Sequence, residues 1–207
     1  MLKPILSTKW LHQNLKNSKV IILDASPETN VSGLTTEFSD IQITGARHFD
    51  IKNTFSDANS SLPNTLPSPS NFENECRKIG INSDSIIVVY DNLGTYTSPR
   101  VWWMFKVMGH QHVHILNGGL PNWIDKQYEV EPMIKHQYLI GNFKADFNPN
   151  LFADKNDVLK NIASKKSLVI DARSEERFSG TKPEPRKGIR SGHIPNSKNL
   201  PFEKVLN

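Results

Sequence analysis

Four groups of residues in this 207-residue chain have the types and spacing to do chemistry. The single thiol, Cys76, falls between Phe72 and Ile79 on the apolar face of a helical stretch. Reactive thiols sit at helix N-termini or beside cations that stabilise the thiolate, so a packing role is the favoured reading of Cys76. His110, His112 and His114 alternate, which on a strand would line three imidazoles along one side as a metal-binding row. No carboxylate or cysteine is placed to complete that set, and a surface row is favoured over a metal site. The loop Asp91 to Arg100 joins an apolar run to a helix start, where amides and the helix dipole can hold an anion. Asp91 would repel one there, and a structural loop in which Arg100 pairs with a nearby acid is the favoured alternative. Residues 173–190 carry Arg173, Arg177, Lys182, Arg186, Lys187 and Arg190 among three glutamates. Prolines flank Glu184 and exclude a helix, so the arginines either clamp a small carboxylate or oxyanion or simply face solvent.

The elements that must position these groups alternate. Short Val- and Ile-rich runs at 20–24, 86–90, 113–116 and 167–171 read as buried parallel strands. Between them lie helical stretches: one capped by Ser7 or Thr8, one after Ser70 ending at Gly80, one from Pro99 to Met108, and one after Gly118-Gly119. Asp154 is placed to cap a further helix. The pattern predicts an α/β layered fold with a mainly parallel sheet. Residues 53–71 read as a surface excursion. Residues 129–150, with few core-forming runs, read as a linker between a first domain, 1–128, and a second unit, 151–207.

That division rests on an internal repeat. VIILDAS, GARHFDI and IIVVYD in the first part are echoed by SLVIDARSEERF and SGHIPNSKNLPF in the second, which has no counterpart of IIVVYD. One strand and a helix cannot bury both faces. Leu168, Ile170, Ile194, Leu200 and Phe202 are therefore expected either to pack on the first domain or to stand exposed.

Composition narrows the function classes. A net charge of +4 with scattered Lys and Arg gives no nucleic-acid footprint. One cysteine excludes an internal disulfide and a Cys-rich zinc site, and suits a reducing compartment. No apolar run is long enough for a membrane span, and the N-terminus lacks a secretory h-region. The expected location is cytoplasmic.

With these residues laid out, SPRVWWMF, LNGGLPNW, VIDARSEERFSG and PEPRKGIRSGHIPNSKNLPF together resemble the tandem-rhodanese sulfurtransferases, the thiosulfate and 3-mercaptopyruvate sulfurtransferases. The resemblance implies two rhodanese domains, each a five-stranded parallel sheet flanked by helices. It implies a non-catalytic first domain whose counterpart of the catalytic cysteine is acidic, here Asp91. In the second domain a cysteine takes a sulfane sulfur, becomes a persulfide and passes the sulfur to cyanide, a thiol or thioredoxin, with no cofactor. Arg177 and Arg186 match the arginines that hold the substrate carboxylate in mercaptopyruvate-type members. The cysteine loop would lie past Phe202, so this chain is expected to stop before it and to be inactive alone. The alternative is a non-catalytic rhodanese-like binding module. Two departures bear on the first domain: Gln42-Ile43-Thr44-Gly45 replaces the usual His-Ile-Pro-Gly, and Lys52 and Asn64 replace an Asp and a His of a proton relay.

Overall fold

Runs of Val and Ile buried on both faces build the central sheet of the computed structural model, which describes residues 2–29, 33–134, 136–186 and 188–206. The chain divides into two compact units, Met1–Leu151 and Phe152–Asn207.

In the first unit β1 (Ile5–Leu6), β2 (Val20–Asp24), β4 (Arg47–His48), β5 (Ile86–Tyr90) and β6 (Val113–Leu116) form a five-stranded parallel sheet in the order β1-β6-β5-β2-β4. Side chains alternate between its two faces. Ile21, Leu23, Ile87 and Val89 pack with Phe72 and Cys76 of α2 (Pro69–Lys78) and with Val101, Met104 and Phe105 of α3 (Ser98–Val107). Ile22, Val88 and Tyr90 face the other way, onto Leu11 of α1 (Thr8–Asn14) and Leu120 and Trp123 of α4 (Gly119–Asp125). Both faces are covered, which is why these strands read as unbroken apolar runs. Truncating a fully buried residue such as Leu23 to alanine is expected to cost roughly 2–5 kcal/mol.

The α/β fold with a parallel sheet flanked by helices is as expected, and three details differ. Residues 129–150 are wrapped onto the first unit. There β7 (Val130–Pro132) pairs antiparallel with β3 (Ile41–Ile43), Phe143 enters the core, and the amides of Gly141 and Asp146 donate to Arg77 O at 2.8 Å and Met108 O at 2.9 Å. The histidines form no row, because β6 starts only at Val113. His110 and His114 are buried on the carbonyls of Ser85, at 2.9 Å, and Lys3, at 2.7 Å, while His112 is exposed. No group of three or more potential metal ligands occurs among the described residues. Finally, Arg100 meets no acid among the described residues. Its Nη2 donates to Asn64 O at 2.8 Å and its guanidinium lies 4.5 Å from the Trp103 ring centroid.

In the second unit Asp154 caps α5 (Lys155–Ser164) with a reciprocal capping box, accepting from Asp157 N at 2.9 Å while Asp154 N donates to Asp157 Oδ2 at 3.0 Å. The short β8 (Ile170–Asp171) pairs in parallel with β9 (Lys198–Asn199), and α6 (Glu175–Ser179) follows β8. Leu168, Ile170, Ile194 and Leu200 are exposed, and Phe202 is half-buried.

Candidate functional site

The first unit's loop begins where β5 ends. Asp91 is wholly buried, and its carboxylate collects donors from the turn that follows. Oδ1 accepts from Leu93 N at 3.0 Å, and Oδ2 accepts from Tyr96 N at 2.9 Å, Thr97 N at 3.0 Å, Ser98 N at 2.9 Å and Ser98 Oγ at 2.8 Å. Ser98 opens α3, so the carboxylate also sits at the positive end of the helix dipole. The amides form the anion nest suggested by the sequence, and the anion it holds is the chain's own Asp91.

Neighbouring groups lock that loop in place. Leu120 N donates to Asp91 O at 3.0 Å, and Thr97 Oγ1 donates to Ala25 O. Gly119 adopts φ +55°, and a Cβ there would come within 2.4 Å of the carbonyl oxygens of Asp91 and Gly94. Only glycine allows so close a backbone approach at positive φ.

Below the loop, Tyr90 donates to the buried Asp24 carboxylate at 2.7 Å and accepts from Ile43 N at 3.1 Å. Burial first, and the neighbouring Asp24 carboxylate second, push the Tyr90 phenol well above its ordinary value, so it stays a proton donor. At the first of the family departures, Gln42 is buried and bridges Ala46 O and Glu131 Oε1. At the other, Lys52 is exposed and Asn64 offers its carbonyl to Arg100.

Cys76, the chain's one thiol, is fully buried in the core of the first unit. Burial, reinforced by Glu75 and Glu73, drives its pKa well above the ordinary 9.0, the reverse of what a nucleophile requires.

In the second unit Arg177 lies on α6 and is tied to Glu184 through Nη2–Oε2 at 2.5 Å and Nε–Oε1 at 3.3 Å. Glu184 also receives Arg173 Nη1 at 2.7 Å, and Arg173 is itself anchored on Asp171 and on Gly192 O. The order Asp171, Arg173, Glu184, Arg177 is thus a chain of charge-assisted hydrogen bonds that fixes the Arg177 guanidinium. Arg186 is exposed, with no ion pair or hydrogen bond among the described residues. The two arginines singled out from the sequence therefore differ: Arg177 is pre-set by Glu184, and Arg186 is held by nothing described. Arg173 stood in the sequence only as one arginine of a possible clamp and Glu184 only as a proline-flanked acid, because their pairing with Arg177 across a turn leaves no trace in spacing.

Residues 7–126 match the rhodanese-like domain family. The thiosulfate sulfurtransferase of Rattus norvegicus is 38% identical over 216 residues, which cover 99% of this chain and 71% of that protein. The chain belongs to the rhodanese-like sulfurtransferases. Another member, thiosulfate/3-mercaptopyruvate sulfurtransferase 1, mitochondrial, of Arabidopsis thaliana, is 37% identical over 227 residues. That match takes in 99% of this chain but 59% of the Arabidopsis protein, so the chain spans about three fifths of this relative's length. Among solved structures, that of the 3-mercaptopyruvate sulfotransferase SseA from Escherichia coli superposes with a TM-score of 0.85 at 31% identity, covering all of this chain and 78% of SseA. No helix among the described residues of this rhodanese-like chain is long and apolar enough to cross a membrane.

Proposed function

We propose that this polypeptide serves sulfur transfer from a small anionic donor, 3-mercaptopyruvate or thiosulfate, to a thiol or thioredoxin-like acceptor, and that it does not itself carry the persulfide. The observation behind this reading is the pair Asp91 and Cys76. The nest that would stabilise a thiolate is filled by a carboxylate, and the only thiol is sealed in the core with a raised pKa. Neither Asp91 nor Cys76 can then act as the sulfur-accepting nucleophile. Arg177 and Arg186 act as the donor-binding pair: Arg177 is aimed by Glu184 and keeps Nη1 for the donor's anionic oxygens, the carboxylate of 3-mercaptopyruvate or the oxyanion of thiosulfate, and Arg186 on its exposed loop supplies the second cation. The single buried cysteine suits a reducing, cytoplasmic setting. No membrane or nucleic-acid partner enters this reading.

A second reading, a non-catalytic rhodanese-like binding module, is favoured by the self-filled nest alone, since Asp91 removes the first unit's own capacity for catalysis.

Mass spectrometry after incubation with each donor tests the proposal. Unmodified Cys76 is the expected result, and stoichiometric sulfane sulfur on that residue would refute it. Titration of the arginine side-chain resonances with 3-mercaptopyruvate should shift Arg177 and Arg186 together, whereas a binding module indifferent to the donor would leave both unmoved.

A further inference from the structure

A cleft of about 630 Å³ opens in the first unit at the carboxyl ends of β2, β4 and β5, and Asp91 is not among the residues that line it. β2 and β5 are neighbours, and the chain leaves β2 toward β4 on one side but leaves β5 toward β6 on the other. Parallel α/β sheets place ligands at such a reversal. Ser26 and Asn92, which follow these two strands, both line the cleft and are joined by an Asn92 N to Ser26 Oγ hydrogen bond of 2.9 Å.

The lining is chemically one-sided. Among the described residues that line it, the charged ones are Glu28 and Asp50, both carboxylates. Burial opposes the charge of Asp50, but hydrogen bonds from Asn53, Lys52 and Thr54 outweigh it and hold the carboxyl below its ordinary value, so it is ionised at neutral pH. Asn92 is only 7% exposed, yet its Oδ1 accepts no hydrogen bond among the described residues; His48 Nδ1, also in the lining, is likewise buried and unpartnered. Phe55 and Leu93 add apolar surface. Such a cleft suits a ligand that carries positive charge and donors on an apolar body.

We propose that the cleft binds a small amphipathic amine, its ammonium directed to Asp50 and Glu28 and its body against Phe55 and Leu93. An anionic sulfur donor has the wrong charge for it. The proposal does not rest on the sulfur-transfer reading, which depends on Arg177, Arg186 and Cys76, so either can fail alone.

The test is an amide-resonance titration of the whole chain with phenethylamine and, separately, with hydrocinnamate, which has a similar aromatic body but the opposite charge. Saturable shifts at Ser26, Asn92 and Leu93 are expected with the amine and not with the carboxylate. Glu28→Gln, at an exposed rim position, should weaken amine binding about threefold without changing the fold, and Leu93→Trp should abolish it by filling the space. Absence of shifts at millimolar amine, equal binding of the carboxylate, or an unaltered affinity in Glu28→Gln would overturn the proposal.

Discussion

Ser98 donates twice to one oxygen of Asp91, through its amide at 2.9 Å and its hydroxyl at 2.8 Å. This double contact ties the first turn of α3 to the end of β5 and makes the carboxylate part of the fold's frame. Removing the carboxylate strands the amides of Tyr96, Thr97 and Ser98 in a buried site. Asp91→Ala is therefore expected to destabilise the first unit by roughly 3–5 kcal/mol, since each buried donor left unpaired costs about 1–3 kcal/mol and the lost bonds are charge-assisted. Urea unfolding checks this. Formate, which can re-enter the nest, should restore part of the loss in Asp91→Ala and add nothing to the unsubstituted chain.

Gly119 supports the same loop from the α4 side. A methyl group at 2.4 Å from two carbonyl oxygens, on a backbone at φ +55°, must push the loop away. Gly119→Ala should cost about 3 kcal/mol through overpacking and left-handed strain together. It should also shift the Leu93 and Ser98 amide resonances, which a change confined to α4 would leave in place.

These two residues show what a sequence discloses. Asp91 was visible as an acid after a buried strand, and β2, β5 and β6 were visible because strands buried on both faces are written in unbroken Val and Ile. The convergence of amides on Asp91 was not visible, since backbone N–H groups leave no trace in residue identity. The same reason hid the path of 129–150. That segment is polar and proline-bearing, yet it is held by backbone bonds from Gly141, Phe143 and Asp146 and by one inserted ring. β1, β4 and β9 are two residues each, too short for any period, and exist because a neighbouring strand offers an edge. The run 167–171, read as a buried strand, forms one only at Ile170–Asp171 and leaves Leu168 and Ile170 exposed. Arg100 was expected to seek an acid, but its Nη2 meets a carbonyl and its guanidinium an indole face, while its buried Nε has no partner among the described residues.

The network in the second unit makes a pH prediction. The hydrogen bond from Arg177, opposed by burial and joined by the charges of Arg177 and Arg173, holds the Glu184 carboxyl below its ordinary 4.5. A depressed acid contributes stability that is fully present above its unfolded value and is lost as pH falls through the lower folded one. Glu184 should therefore titrate below 4.5 in a carboxyl-carbon experiment, and ordering of Arg177 should fade over the same interval. Arg177→Ala should raise the midpoint toward the ordinary value. A midpoint at or above 4.5 in the unsubstituted chain would mean that Glu184 does not aim Arg177 in solution.

The sharpest contrast is between two positions for one thiol. At Cys76 the sulfur is buried among apolar side chains, its pKa is driven up, and alkylation should proceed only when the first unit unfolds. At position 91 the same group would lie among the donors from Tyr96, Thr97 and Ser98 at the start of α3, where a thiolate is stabilised. In an Asp91→Cys, Cys76→Ser chain, alkylation by iodoacetamide at neutral pH should be at least tenfold faster than for the chain with Cys76 alone, with half-maximal rate at a pH below about 8.5. A thiol at 91 no more reactive than Cys76 would show that the cradle is shaped for a carboxylate and cannot seat sulfur.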